Sequence, residues 1–205
     1  MLVGSIEAGG TKFVCAVGDE EYNIVDSHHF PTTDPDTTLS KVIDYFQQFK
    51  ISALGVASFG PLDLDKQSAN FGSIMASPKL DWRNIPIYQI LKDRLRIPIF
   101  LTTDVNGSAY GEYIIGRLRG QKLNSLVYYT IGTGVGAGII YDGKFLGDLG
   151  HPEMGHVFVK RHPNDKSFKG ICHYHHDCLE GLVSGPTFEV PVSYTHLTLP
   201  TICSV

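Results

Sequence analysis

The sequence predicts an α/β protein in which helices cover a sheet. Short apolar runs alternate with amphipathic helical patterns in the order β-hairpin–β–α–β–α–β–α, which is typical of layered α/β domains. The 205-residue chain also contains 22 glycines, which indicate tight turns or close backbone approaches rather than a helical bundle. In layered folds of this kind ligands bind beyond the carboxyl ends of strands, so functional side chains are expected there.

The elements of the first half follow from short-range patterns. Strands are predicted where β-branched or apolar runs end at turn residues: 2–17 (a hairpin), 22–30, 53–59 and 97–101. Helices are predicted where apolar residues recur three or four positions apart: 36–50, 85–95 and 105–115.

A second unit opens near Gln121. Apolar runs predict strands over 126–131 and 138–141, separated by a glycine-rich turn. Asp142 and Gly143 then favour a tight turn into a further extended segment at 144–146.

Composition and charge argue against several classes of protein. Seventeen Lys and Arg residues against 21 Asp and Glu residues give a net charge of −4, which disfavours a general nucleic-acid partner. The uncharged stretch 123–141 raises the question of a membrane span, but its glycines and hydroxyl side chains favour a strand–turn–strand in a soluble protein. The four cysteines are unevenly spaced and no basic leader precedes Glu7, so a reducing, cytoplasmic compartment is expected.

Two glycine-rich turns have the composition of anion-binding turns. In Gly9-Gly10-Thr11-Lys12, adjacent glycines let backbone amides face a phosphate, and Thr and Lys add side-chain donors. The turn lacks the spacing of a Walker loop, and a plain hairpin turn is the alternative. No helical pattern follows the second turn, Gly132-Thr133-Gly134, which argues against a Rossmann dinucleotide site. It is either a phosphate-binding hairpin or a structural turn.

A carboxylate stands at a strand-to-helix junction. Asp104 follows the predicted strand 97–101 and opens the segment Asp-Val-Asn-Gly. As a general base it would accept a hydroxyl proton while the oxygen attacks phosphorus. The alternative is a side chain that caps the following helix. The catalytic interpretation gains weight because the same chain holds two possible phosphate turns.

The most specific pattern is a set of metal-ligand residues. Cys172-x2-His175-x2-Cys178 is preceded by His156, in a region that holds six of the nine histidines. Two imidazoles and two thiolates supply the four nitrogen and sulfur ligands of tetrahedral zinc, and the short spacing suits a loop folded around one ion. The alternative is a pair of redox or packing cysteines.

Six short motifs occur in one order along the chain, and together they resemble the ROK family of sugar kinases, most closely its bacterial fructokinase branch. The motifs are Glu-Ala-Gly-Gly-Thr-Lys, Gly-Pro-Leu-Asp-Leu, Asp-Val-Asn-Gly-Ser-Ala-Tyr-Gly-Glu, Ile-Gly-Thr-Gly-Val-Gly-Ala-Gly, His-Pro-Glu-Met-Gly-His and Cys-x2-His-x2-Cys-Leu-Glu-Gly. Each motif alone is weak or moderate, but the ordered set is specific and covers about residues 1–189.

The resemblance implies a fold, a reaction and a set of partners. It implies an actin-like, ribonuclease-H-like ATPase fold with two lobes, here 1–118 and 119–189, the second lobe being incomplete. The implied reaction is the ATP-dependent phosphorylation of D-fructose to fructose 6-phosphate. ATP, Mg²⁺ and a structural Zn²⁺ are the implied cofactors. The implied assembly is a homodimer with no nucleic-acid or membrane partner.

The resemblance also implies roles for individual residues. Asp104 is the catalytic base. The residues implied to line the phosphates are Gly9, Gly10, Thr11, Lys12, Gly132, Thr133 and Gly134. Those implied to hold the sugar are Asn106, Glu153, His156 and Glu180. The zinc ligands are His156, Cys172, His175 and Cys178, so His156 would serve both the metal and the sugar.

Three positions depart from the common family pattern. Many glucose-kinase members carry Asn where this chain has Thr103, and many members of the family carry Asp where it has Glu7. Both differences suit the fructokinase branch and argue against a glucokinase. Many members use a third cysteine where this chain has His175. The alternatives are a ROK hexokinase acting on glucose, mannose or an N-acetylhexosamine, and a non-catalytic, sugar-binding ROK regulator.

The last sixteen residues depart from the family altogether. Residues 184–189 still fit the start of a helix, but 190–205 contain no charge and no helical period. This tail is interpreted as a frameshift or foreign read-through, with a genuine short variant as the alternative. Impaired kinase activity is therefore expected for this chain.

Overall fold

The computed structural model describes residues 1–147, 149–164 and 167–189. These residues group into two compact units. Unit 1 comprises Met1–Tyr129 and Ala137–Pro152, and unit 2 comprises Thr130–Gly136 and the described residues from Glu153 onward. The predicted lobes, 1–118 and 119–189, stay a prediction. The predicted foreign tail, 190–205, lies outside the described residues.

Unit 1 contains a five-stranded sheet in the order β3-β2-β1-β4-β5. The strands are β1 (Leu2–Ala8), β2 (Lys12–Gly18), β3 (Ile24–Pro31), β4 (Ile51–Ser58) and β5 (Ile99–Thr103). The first three are antiparallel neighbours, whereas β4 runs parallel to β1 and β5 runs parallel to β4. The structure thus confirms the predicted hairpin, the third strand and the two later strands.

Three helices cover the two faces of this sheet: α1 (Pro35–Gln47), α2 (Ile87–Leu95) and α3 (Asp104–Leu118). Phe46 of α1 packs over Gly4 of β1, which pairs with Leu54 of β4. Ala57, three residues further along β4, contacts Gly107 of α3 instead. Side chains an odd number of residues apart on a strand point to opposite faces, so α1 and α3 lie on opposite sides of the sheet.

Helix α1 shows how the local sequence sets an element and its limits. The Asp34 carboxylate caps the first turn by accepting a hydrogen bond from the Thr37 amide at 2.8 Å, and Pro35 occupies the first helical position. The helix ends at Gln47, three residues before the predicted end, because the Gln48 and Phe49 amides bond to carbonyls three residues back. The predicted apolar stripe is buried along the helix at Leu39, Val42, Ile43 and Phe46.

A second sheet follows α3 in the order β6-β7-β8. Its strands are β6 (Ser125–Ile131), β7 (Val135–Tyr141) and β8 (Lys144–Phe145). Asp142 and Gly143 form the predicted turn between β7 and β8, with φ values of 48° and 73°. Two successive positive φ values identify a type I′ turn, whose twist matches the flanking strands.

Unit 2 is built from short elements. A single 3-10 turn spans Met154–His156, and two short helices follow, α4 (Leu179–Val183) and α5 (Gly185–Glu189). The predicted helix start at 184–189 is confirmed by α5. None of the helices in the described ranges is long and apolar enough to cross a membrane.

The first turn of α3 is packed closely against two strands. A Cβ on Gly107 would lie inside van der Waals contact with Ala57 of β4. A Cβ on Gly138 of β7 would overlap the carbonyl of Val105. Both glycines therefore allow helix and strand backbones to approach closely, and this approach sets where α3 begins.

We expect Gly107→Ala to destabilise unit 1 by about 1–3 kcal/mol, because the added methyl group must displace α3 from β4. Gly111→Ala in the same helix is the matched control, since no atom lies within 4 Å of the position that its added methyl group would take. That change should instead stabilise the helix by about 1 kcal/mol. Urea unfolding followed by circular dichroism measures both, and equal effects of the two changes would contradict the packing described.

Candidate functional site

Asp104 lies where the sequence predicts it, at the junction of β5 and α3. Thr103, the last residue of β5, is the N-cap of α3, and its hydroxyl accepts a hydrogen bond from the Asn106 amide at 3.4 Å. The alternative interpretation of Asp104 as the capping residue is therefore wrong. One carboxylate oxygen of Asp104 accepts from the adjacent Val105 amide at 2.9 Å. The capping role belongs to Thr103, which leaves the carboxylate of Asp104 available for chemistry.

The surroundings of Asp104 change its affinity for a proton. Burial raises the pKa of Asp104 above its ordinary value, and the Val105 amide and the charge of His151 oppose that rise. A carboxylate with a raised pKa is a stronger base than an exposed one. The position at the end of a buried strand thus combines a fixed geometry with a readiness to accept a proton.

Asn106 is buried within the same helical turn. Only 2% of its surface is exposed, and its side-chain amide donates to the carbonyl of Gly150 at 2.8 Å. Its Oδ1 atom is buried and has no hydrogen-bond partner among the described residues. The predicted sugar contact of Asn106 stays a prediction; in the structure its amide joins α3 to the segment that precedes His151.

The first glycine turn joins β1 and β2 in unit 1. The Gly9 amide bonds to the Lys12 carbonyl at 2.9 Å, which closes the turn. A Cβ on Gly9 would lie 2.8 Å from that carbonyl oxygen, whereas no atom lies within 4 Å of the equivalent position on Gly10. Gly9 is therefore needed to form the turn, and Gly10 leaves its backbone open to an approaching anion.

A support for this turn was not predicted from the sequence. Thr32, the residue after β3, bonds to both sides of the turn: its hydroxyl donates to the Gly9 carbonyl (2.7 Å) and its amide donates to the Thr11 carbonyl (2.9 Å). The Lys79 ammonium donates to the Thr32 carbonyl at 2.9 Å. The buried indole of Trp82 donates to the neighbouring Thr33 carbonyl at 2.7 Å. The feature of the sequence that could have indicated this support is Trp82, the single tryptophan of the chain, which lies in a stretch without periodicity.

The second glycine turn lies in unit 2 and is fixed by Glu180. The Val135 amide donates to Glu180 Oε2 at 3.0 Å, and the same oxygen lies 2.8 Å from the position a Cβ would take on Gly134. Gly132 has no atom within 4 Å of its equivalent position, and its carbonyl accepts from the Gly185 amide at 2.6 Å. As in the first turn, one glycine packs closely and another faces open space.

The four predicted metal ligands lie together in unit 2. One ligand atom from each of His156, Cys172, His175 and Cys178 falls within 4.8 Å of the other three. His156 Nδ1 is 3.6 Å from the Cys172 sulfur and 3.7 Å from the Cys178 sulfur. Tetrahedral zinc with ordinary bond lengths places nitrogen and sulfur ligands about 3.6 Å apart. The donor set and its spacing thus fit one zinc ion.

Backbone pairing brings these ligands together. Cys172 and His176 exchange two hydrogen bonds, of 3.1 and 3.0 Å, which fold His175 into the turn of a small hairpin. The Leu179 amide bonds to the Val157 carbonyl at 2.8 Å, which brings Cys178 beside the segment that holds His156. Burial raises the pKa of Cys178, so a metal must displace a proton from this thiol to bind it.

The predicted site residues are divided between the two units. Unit 1 holds Gly9, Gly10, Thr11, Lys12, Asp104 and Asn106. Unit 2 holds Gly132, Thr133, Gly134, Glu153, His156, Cys172, His175, Cys178 and Glu180. Glu153 immediately precedes the 3-10 turn, and its carbonyl accepts from the His156 amide at 3.1 Å.

Known proteins share these motifs and this fold. A family model described as the ROK family matches residues 3–201. A fructokinase of Lactococcus lactis subsp. cremoris is 50% identical over 186 residues, which cover 91% of this chain and 62% of that protein. A fructokinase of Streptococcus mutans is 48% identical over 192 residues, which cover 92% and 64%.

A solved structure extends the likeness to the fold. A ROK family glucokinase from Streptomyces griseus, in complex with glucose and AMPPNP, matches with a TM-score of 0.67 at 28% identity, covering 91% of this chain and 58% of that one. The likeness confirms the expected actin-like, ribonuclease-H-like α/β class. The chain spans less than two thirds of the length of the two fructokinases.

We expect Asp104→Asn to raise the unfolding temperature at pH 7, because it removes a carboxylate whose charge is penalised by burial. A raised pKa in the folded state means that the favourable, protonated form is lost as pH rises from the unfolded pKa, about 3.9, through the folded one. The gain over wild type should therefore vanish at strongly acidic pH. Differential scanning calorimetry across pH measures it.

Asp44→Asn on the exposed face of α1 is the matched control and should give no such pH-dependent gain. An Asp104→Asn protein that unfolds at the same or a lower temperature than wild type at pH 7 would contradict the burial penalty.

Proposed function

The chain belongs to the ROK family, and on that premise we propose that it acts as an ATP-dependent fructokinase that converts D-fructose to fructose 6-phosphate. The observation that carries the proposal is the Asp104 carboxylate at the end of β5, relieved of helix capping by Thr103. The identity of 48–50% with two fructokinases supports fructose as the sugar.

The proposed chemistry begins at Asp104. Its carboxylate orients a sugar hydroxyl and accepts the proton as the O–H bond breaks. The freed oxygen forms a bond to the γ-phosphorus of ATP, and the bond from that phosphorus to the bridging oxygen breaks, so that ADP leaves. The raised pKa of Asp104 suits this role, because a base of intermediate strength can accept the proton and later release it.

The two glycine turns are proposed to bind the phosphates. The open space beside Gly10 and Gly132 supports this role, because a phosphate oxygen can reach the backbone amides there. Lys12, Thr11 and Thr133 would add side-chain donors. Bound with ATP, Mg²⁺ supplies positive charge that stabilises the transferring phosphoryl group.

The sugar is proposed to contact Glu153, His156, Glu180 and Asn106. Glu180 uses Oε2 to hold the Val135 amide, so Oε1 is the oxygen proposed to accept from a sugar hydroxyl. His156 directs Nδ1 toward the two sulfurs, so Nε2 is the nitrogen proposed to face the sugar. Each residue would thereby keep a structural contact with one atom and bind sugar with another.

We propose zinc as the ion held by His156, Cys172, His175 and Cys178. The support is the His₂Cys₂ donor set and the separations of 3.6 and 3.7 Å between the His156 nitrogen and the sulfurs. The role is structural, since four protein ligands complete a tetrahedral shell. The ion would fix the small hairpin on the segment that carries Glu153.

A cytoplasmic homodimer without a nucleic-acid or membrane partner is also proposed. The net charge of −4 supports the absence of a nucleic-acid partner. The family likeness supports the remainder of this proposal.

Fructose phosphorylation is tested with a sugar panel. We expect a chain extended by the following residues of the Lactococcus lactis relative to phosphorylate fructose with a higher kcat/KM than glucose, mannose or N-acetylmannosamine. Asp104→Asn should lower its kcat by about 10²–10⁴ with little change in fructose affinity, because only proton transfer is lost. A coupled ADP-release assay gives the rates, and calorimetric titration of the unextended chain with fructose gives the affinity.

The matched control is Asp93→Asn, which alters an exposed carboxylate on α2 and should leave kcat unchanged. A preference for another sugar would overturn the substrate assignment. An Asp104→Asn enzyme with more than about a tenth of the wild-type kcat would overturn the assignment of the base.

Zinc binding is tested by metal analysis of purified protein. We expect one zinc per chain, and loss of that zinc together with a lower unfolding temperature on His175→Gln or Cys178→Ser, since metal binding contributes to folding. His173→Gln is the matched control, because this exposed neighbour is not among the four clustered ligands. Less than about half an equivalent of zinc, or equal zinc loss in the His173 and His175 variants, would contradict the site.

A further inference from the structure

Thr32, the residue after β3, uses all three of its polar groups at or beside the first glycine turn. Its hydroxyl donates to the Gly9 carbonyl at 2.7 Å, and its amide donates to the Thr11 carbonyl at 2.9 Å. Its own carbonyl accepts from the Lys79 ammonium at 2.9 Å. Thr32 is buried, and all of these residues belong to unit 1. The turn is therefore held from outside its own hairpin.

The bond from the Thr32 hydroxyl fixes the plane of the peptide that joins Gly9 and Gly10. This peptide is trans, since the cis bond found among the described residues is the one before Pro61. In a trans peptide the C=O and the N–H point in opposite directions. Holding the Gly9 carbonyl toward Thr32 thus turns the Gly10 amide away from Thr32 and leaves it free to meet an anion.

The segment that contains Thr32 is itself anchored by one loop. Lys79 binds the carbonyl of Thr32, and the indole of Trp82 donates to the next carbonyl, that of Thr33, at 2.7 Å. The Trp82 side chain is fully buried, and its ring centroid lies 5.2 Å from that of Phe13, the residue after the turn. Two successive carbonyls bound by a loop with a buried anchor leave the segment little freedom to move. The bond from Lys79 is also the stronger kind, because its donor is charged.

This restraint matters because the turn contains two adjacent glycines. Glycine allows many backbone conformations, so Gly9 and Gly10 would not by themselves keep one peptide direction. A backbone amide binds an anion best when it already points at the anion before binding, since no ordering is then required. The two bonds from Thr32 supply that order.

We propose that Thr32 is a positioning residue for the phosphoryl donor, which directs the Gly10 amide at a phosphate, and that Lys79 holds Thr32 in place. Neither residue belongs to the sets proposed above to bind phosphate, sugar or metal. The link to the phosphoryl donor rests on the proposed kinase function. The orientation of the Gly10 amide by Thr32 does not depend on it.

The proposal is tested in this 205-residue chain with magnesium tripolyphosphate, which has the phosphate chain of ATP and no adenine. The Gly10 amide is followed by ¹H–¹⁵N NMR and is identified by its loss in Gly10→Ala, a change for which there is space. We expect tripolyphosphate to shift this resonance. Thr32→Val, which removes the hydroxyl, should weaken the affinity by about tenfold. Thr32→Ser should restore an affinity close to that of wild type.

Ser52→Ala is the matched control. It removes a bond of the same kind, from a hydroxyl to the Leu2 carbonyl at 2.9 Å, at the other end of β1. It should leave the tripolyphosphate affinity unchanged. A wild-type Gly10 resonance that ignores tripolyphosphate, or a folded Thr32→Val protein with wild-type affinity, would overturn the proposal. Failure of Thr32→Ser to restore binding would also overturn it, because packing would then explain the loss.

The part played by Lys79 needs a separate measurement. Lys79→Met should weaken tripolyphosphate binding by about threefold, and adding it to Thr32→Val should weaken binding no further, because both changes act through one hydroxyl. Lys41→Met, at an exposed position on α1, is the control for the lost charge. Additive effects would show that Lys79 acts independently of Thr32 and would overturn its assigned role. If Thr32→Val does not fold, Lys79→Met decides, and an effect no larger than that of Lys41→Met overturns the proposal.

These outcomes separate the two proposals. A chain whose Gly10 amide binds tripolyphosphate through Thr32 but which phosphorylates no sugar would overturn the proposed function and leave this inference standing. Fructose phosphorylation together with a tripolyphosphate affinity that is insensitive to Thr32→Val would do the reverse.

Discussion

The close approach of the first turn of α3 to two strands is the constraint on which the arrangement in unit 1 depends. Gly107, which has no Cβ, packs closely against Ala57 of β4 on one side of the turn. On the other side, Gly138 of β7 packs closely against the Val105 carbonyl. Tightly packed interiors have few alternative arrangements, so this turn has one position relative to the end of β5. The direction of Asp104 and the bond from Asn106 to Gly150 both follow from that position.

Much of the fold could be predicted because its signals are local. The apolar stripe of α1, the β1–β2 hairpin and the Asp142-Gly143 turn each lie within one short window, and each is present. Helix ends were less accurate: α1 stops at Gln47 because amide bonds to carbonyls three residues back tighten its last turn. Periodicity reports which face is buried and carries little information on where a helix ends.

The candidate site was predictable where its residues are close in sequence. Cys172, His175 and Cys178 lie within seven residues, and their spacing alone indicated a metal loop. The contact of Asn106 with Gly150 and that of Trp82 with Thr33 join residues 44 and 49 positions apart, and no short pattern encodes such pairs. The glycine run was ambiguous for the same reason. Gly132 faces open space, Gly134 contacts Glu180 and Gly138 contacts α3, yet the three look alike in sequence.

The capping of α3 by Thr103 bears directly on the chemistry of Asp104. A helix N-terminus stabilises a nearby negative charge, and a carboxylate that also capped the helix would be strongly held as the anion and would be a weak base. Thr103 satisfies the Asn106 amide with a neutral hydroxyl, so the Asp104 anion is stabilised locally by the amides of Val105 and of Asp104 itself and not by the Asn106 amide. Burial then raises the pKa of Asp104, and the separation of capping from proton transfer onto two adjacent residues keeps its carboxylate basic.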